Sequence, residues 1–181
     1  VFLGKVDRVV TWAVGLTVVF GATGVYCVGR LVTWRGGLID FNHVAMSVAM
    51  VGMIWWPAAG GRWVEAGVFT VAAMVFGRKL VGLDGVVARG GALAHLAMNG
   101  GMVWMLVTMP RMSMETDGMR HGGQTWTSLL TWDVAGMLAL GTGWWAVRAV
   151  RSRGHRALCC CHAASCLGMA GMLAAMTPFG N

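Results

Sequence analysis

His43-Val44-Ala45-Met46-Ser47-Val48-Ala49-Met50-Val51-Gly52-Met53 is a phrase that this chain uses three times. It returns as His95-Leu96-Ala97-Met98-Asn99-Gly100-Gly101-Met102-Val103-Trp104-Met105, and again, with one substitution, as His162-Ala163-Ala164-Ser165-Cys166-Leu167-Gly168-Met169-Ala170-Gly171-Met172. Each copy is His-x-x-(Met or Ser)-x-x-x-Met-x-x-Met. At about 100° per helical residue, offsets of +3, +7 and +10 fall at about 300°, 340° and 280° from the histidine. One imidazole and up to three thioethers therefore share one stripe of a helix, and the stripe occurs in triplicate.

Working outward, each phrase lies in an apolar run that reaches a proline, at Pro57, Pro110 and Pro178, where a residue without an amide hydrogen is expected to stop a helix. Each is preceded by a second apolar run that gives way to basic residues, at Gly29-Arg30, Gly77-Arg78 and Val147-Arg148. The unit is a helical hairpin, repeated over 9–57, 63–110 and 126–178, with a divergent polar loop at 111–125 before the third copy. Helices are expected over 9–28, 38–56, 63–77, 91–109, 126–147 and 157–176. The expected fold is an all-α integral membrane protein, a single transmembrane domain over 1–181 with six transmembrane helices as three repeated hairpins. The His-Met helices are expected to face one another, with the other three packed outside them.

Composition requires the same environment. With 57% hydrophobic and 12% charged residues, 181 residues carry too little charge to cover a soluble surface. Apolar runs long enough to cross a bilayer core, which takes about 20 helical residues, recur along the chain. The 28 glycines suit close helix approach and the 10 tryptophans suit the membrane interface. The net charge of +7 is spread between apolar runs instead of forming one basic face, which argues against a nucleic-acid partner and for topology-setting loops. The expected partners are the lipid bilayer and other membrane protein subunits. No cleavable signal peptide is seen, because the first apolar run leads straight into the rest of the chain.

Lys and Arg set the orientation. Nine lie on the hairpin-turn side (Arg30, Arg35, Arg78, Lys79, Arg89, Arg148, Arg151, Arg153, Arg156) and five on the other (Lys5, Arg8, Arg62, Arg111, Arg120). The positive-inside bias then puts the hairpin turns in the cytoplasm, and both termini and the 111–125 loop outside, in a bacterial inner membrane.

Thioether, imidazole and thiolate are the ligands that suit Cu(I), and an apolar interior shields them from water. The metal-ligating candidates are His43, Met46, Met50 and Met53; His95, Met98, Met102 and Met105; and His162, Cys166, Met169 and Met172. In the third phrase Ser165 replaces a methionine and Cys166 follows it, so thiolate can stand in for thioether; Cys159 continues the same stripe. Met112, Met114 and His121 form a second soft cluster in the polar loop, where metal would be captured. The plainer account of a methionine stripe is packing, since Met fills irregular gaps. A histidine heading every copy is what packing does not require, although duplicated copies inherit features they do not use.

Paired histidines on facing helices also admit a b-type haem, with methionine as an axial alternative, but the methionines continue past the depth one haem needs. Asp133 is the one carboxylate deep inside an expected span, about two turns into 126–147. It reads either as an intramembrane proton or ion site, or as a hydrated acid paired with Arg120 or His121. Glu65 reads as solvated. Cys159-Cys160-Cys161 point in different directions on a helix and cannot close a zinc tetrahedron by themselves. No nucleotide-binding loop, Ser-His-Asp arrangement, paired carboxylates or dinucleotide fingerprint is present, so no residue is assigned a catalytic role.

On the phrases His43 to Met53 with Trp55-Trp56-Pro57, His95 to Met105 and His162 to Met176, the chain resembles a family of small actinobacterial multi-pass membrane proteins of unknown function. The resemblance covers most of the chain and implies a multi-helix fold and an inner-membrane setting, with no catalytic residue to carry over. The His-Met spans are also similar to those of copper-handling assembly factors for terminal oxidases. The leading expectation is a membrane Cu(I)-binding or Cu(I)-trafficking protein, in support of a respiratory enzyme. Its rivals are a non-catalytic accessory subunit of a larger membrane complex and a haem-bearing electron carrier.

Overall fold

Among the described residues six α-helices follow one another: α1 (Phe2–Val32), α2 (Leu38–Trp55), α3 (Arg62–Val81), α4 (Val86–Met114), α5 (Gln124–Arg151) and α6 (Arg156–Met176). The computed structural model describes residues 2–56, 61–114, 124–152 and 154–176, and side chains at 10–56, 61–108, 128–152 and 154–174. Among the described residues there is no strand. Pro57, Pro178 and His121 lie outside them.

The helices are longer than the apolar runs, and this corrects several expected boundaries. α1 continues through Gly29-Arg30 to Val32, α3 through Gly77-Arg78-Lys79 to Val81, and α5 four residues beyond Val147. Arginine and lysine are good helix formers and are favoured by the macrodipole in a last turn, so a basic residue ends hydrophobicity without ending the helix. α1 stops where the Thr33 hydroxyl donates to the Gly29 and Arg30 carbonyls and Trp34 takes a left-handed φ of 57°. α4 begins at Val86, before the expected Gly91, and passes Pro110 to reach Met114. Proline removes one rung of the hydrogen-bond ladder, which a long apolar helix tolerates. Met112 accordingly belongs to helical backbone instead of a loop, as does Met114.

The chain divides into two compact units, Val1–Ala59 and Gly60–Asn181. In the first, α1 and α2 run antiparallel, joined by contacts at three levels. The Trp55 indole donates to Thr17 Oγ1 at 3.0 Å, Gly24 faces Ser47 so closely that a Cβ would lie 3.1 Å from the serine Cβ, and Arg30 Nε meets Asp40 Oδ1 at 2.8 Å. Asp40 also accepts from the Gly37 amide at 3.1 Å, which fastens the start of α2.

In the second unit α3 packs on α4 and α5 on α6, and α4 also touches both α5 and α6. Glycine makes the approach possible. A Cβ on Gly101 would meet Met169 Cε at 3.3 Å, Val134 Cγ1 at 3.4 Å and Leu138 Cδ1 at 3.5 Å, so one small residue on α4 admits side chains from both neighbours. The Trp104 indole donates to Thr131 at 3.1 Å across α4 and α5.

Among the described residues four helices are long and apolar enough to cross a membrane, over Val10–Val32, Leu38–Trp55, Val86–Thr108 and Arg156–Ala174. Large apolar side chains stay exposed on α3 (Val64, Val71, Met74) and α5 (Leu130, Met137, Leu140, Val150), while Ser47, Asn99, Thr131 and the three phrase histidines are buried. Polar groups inside and apolar groups outside fit a membrane protein, the reverse of a soluble one.

Candidate metal centre

All three stripes are the buried faces of their helices. Within the second unit, His95 from α4 and His162 from α6 are 2% and 1% exposed, and their rings meet edge to face with centroids 4.9 Å apart. Each imidazole has an aromatic neighbour from another helix. Phe76 of α3 stacks on His95 at 4.9 Å with 20° between planes, and Trp145 of α5 meets His162 edge-on at 4.4 Å. The Arg148 guanidinium lies over the Trp145 ring at 5.3 Å, a cation–π contact that holds the indole from behind. Every helix of this unit thus supplies one ring to the cluster.

Sulfur continues the same faces. Met98, Met102, Met105 and Met169 are wholly buried, and Met172 and Cys166 nearly so. Met169 reaches α4 beside Gly101, and the Cys166 sulfur lies 3.4 Å from where a Gly141 Cβ would stand. Imidazole nitrogen, thioether and thiol therefore lie on the buried faces of two touching helices, a donor set for a soft monovalent cation.

Asn99, one turn past His95, was not singled out by the sequence reading. Its side chain is fully buried, its amide nitrogen donates to the His95 carbonyl at 2.7 Å, and Oδ1 has no hydrogen-bond partner among the described residues. A buried acceptor without a donor is costly, so this oxygen is available to a bound group. The available signal was position: the fourth residue after each histidine is Ser47, Asn99 and Cys166, polar or thiol in all three copies. Phe76 and Trp145 carried no comparable mark among many aromatic and apolar residues.

In the first unit His43, Met46, Met50 and Met53 are likewise buried on one face of α2. Asn42 Nδ2 donates to the Met46 thioether at 3.4 Å, so that sulfur is already used as an acceptor. The side chains of Met112 and Met114, like His121, lie outside the described residues. Asp133 is exposed on the outer face of α5, beside exposed Trp132. Cys159 is buried, Cys160 exposed and Cys161 half-buried, the divergence that three consecutive helical positions impose. Among the described residues no cysteine is in a disulfide.

Residues 36–176 match a family described as a domain of unknown function, DUF5134. The chain belongs to this family. The match takes in α2 to α6 and all three phrases, so the cluster of His95, His162, Phe76 and Trp145 lies within the DUF5134 domain, whereas α1 precedes it. No curated protein and no solved structure matches the chain.

Proposed function

We propose that this DUF5134 protein binds Cu(I) within a bacterial plasma membrane and passes it toward a metal-requiring respiratory enzyme. The observation that carries the reading is the edge contact of His95 and His162 at 4.9 Å, with buried thioethers and a thiol continuing both helix faces. Neutral imidazole and thioether suit an apolar site, because each offers a lone pair without bringing a charge that burial would penalise. Loss of the Cys166 proton on binding would supply the one negative charge that balances a monovalent cation. Two rings in contact can be parted by a small ion, whereas a porphyrin must lie wholly between them, which sets copper ahead of a b-type haem. The phrase around His43 offers the same donors in the first unit, and Met112, Met114 and His121 are the proposed capture point outside the spans.

In this reading all six helices cross the bilayer. α3 and α5, with 20 and 28 residues, are long enough at about 1.5 Å per residue, and their exposed faces are apolar despite charged ends. Hairpin turns face the cytoplasm, following the nine-to-five distribution of Lys and Arg.

One observation favours a second role. Asp133 is an exposed carboxylate on a face that also exposes Leu129, Leu130 and Trp132, where lipid would leave it unsolvated and a partner subunit would not.

The test is competition for Cu(I) against a coloured bidentate chelator under reducing conditions. Met50, Met102 and Met169 changed together to Leu should lose the competition while helix content is retained, because Met-to-Leu exchange in a core costs under about 1.5 kcal/mol. Unchanged affinity in that variant, or no uptake by the parent protein, overturns the copper reading and leaves the accessory-subunit reading standing.

A further inference from the structure

We infer that the groove between α4 and α5 holds an acyl chain of one anionic phospholipid, with its phosphate at the arginines beyond the groove's Gly90 end. The inference rests on the membrane setting proposed above and not on copper.

The groove lies wholly in the second unit and encloses about 280 Å³. Leu93, Ala94 and Ala97 form one wall and Met137 and Leu140 the other, so its surface is almost entirely apolar. It lies between two levels at which the helices meet, at Gly90 against Trp144 and again where Gly101 and Trp104 reach Val134, Leu138 and Thr131. At Gly90 a Cβ would come within 2.7 Å of Trp144 Cζ2, so the backbone of α4 rests on the indole. Further along, the short alanine side chains fail to fill the space opposite Met137 and Leu140. An open, apolar, chain-wide trough on the outside of a membrane helix pair suits a hydrocarbon chain and offers a polar ligand nothing to bond.

Charge decides which lipid. The Gly90 end is the basic end of both helices. Arg89 immediately precedes Gly90, and Arg148 and Arg151 follow Trp144 by one and two turns on the same side of α5. Arg89 and Arg151 are exposed and Arg148 is half-buried over Trp145; Arg89 Nε is fixed on the Leu83 carbonyl at 2.8 Å. The acid nearest in sequence is Asp84, in the preceding turn, so the three arginines outweigh it. Arginine presents a fork that matches phosphate oxygens. By the positive-inside distribution this end faces the cytoplasmic leaflet, where anionic lipids concentrate.

The experiment titrates the full-length protein, purified and delipidated in detergent, with phosphatidylglycerol or with phosphatidylcholine of identical chains, counting bound lipid by native mass spectrometry. One phosphatidylglycerol per chain is expected, held at least about tenfold more tightly than phosphatidylcholine. Arg89→Gln and Arg151→Gln together, with Arg148 left in place over Trp145, should remove most of that preference, and Ala97→Phe, which fills the trough, should abolish the stoichiometric binding. Inorganic phosphate alone should not displace the lipid. Equal affinity for both lipids, insensitivity to the arginine variant, or displacement by phosphate overturns the inference. The arginine variant changes exposed side chains and keeps the test decisive if Ala97→Phe does not fold. Cu(I) uptake measured on the same samples reports separately on the metal site.

Discussion

Asp40 is a carboxylate buried to 3% exposure and held by Arg30 and by the Gly37 amide, and it marks what single residues contribute here. Arg30 is 28% exposed and keeps its bond to the Arg35 carbonyl, so Asp40→Leu loses two charge-assisted hydrogen bonds without stranding the guanidinium and should lower stability by about 1–2 kcal/mol, read as a fall in the thermal unfolding midpoint in detergent. A midpoint within a degree or so of the parent would show the pair to be idle. Sequence alone marks Arg30 as a loop charge and gives Asp40 no role, because pairing across a helical hairpin has no local signature. The histidine and methionine positions, by contrast, were legible from spacing, and every described one is buried. Asn99 was missed because one amide in an apolar run looks unremarkable until its oxygen is seen to lack a donor.

At the scale of helices, the number, order and approximate place of all six could be read from the alternation of apolar runs with basic turns and prolines. Their ends could not. Arg30, Arg78, Lys79 and Arg148 stay helical because propensity and the macrodipole favour them there, and Pro110 does not stop α4. Helix packing depends on which glycines face a neighbour, which composition does not reveal. Gly100 and Gly101 are adjacent, yet a Cβ at Gly100 meets nothing within 4 Å while one at Gly101 meets Met169, Val134 and Leu138. Gly101→Leu should cost about 1–3 kcal/mol by overpacking, and Gly100→Leu should be neutral or slightly stabilising through helix propensity. Thermal unfolding of the two variants side by side checks the contrast, and equal effects would contradict the packing described.

For the molecule as a whole, apolar exteriors over polar interiors and, among the described residues, four helices apolar enough to cross a membrane fit a membrane protein, and the distribution of basic residues carries the orientation proposed for it. Cys160 gives a direct check, since it is exposed in the first turn and a half of α6, at the end proposed to face the cytoplasm. A membrane-impermeant maleimide should label it in inverted vesicles and leave it unlabelled in intact cells; labelling in intact cells would reverse the topology. The central claim, that the repeated His-Met faces hold copper, is tested most directly by counting metal. Protein purified under reducing conditions and loaded with Cu(I) should retain copper in stoichiometric amount, and the His95→Ala, His162→Ala double variant should lose at least one copper per chain with its helix content intact. Equal copper in parent and variant would contradict the account and return the methionines to packing.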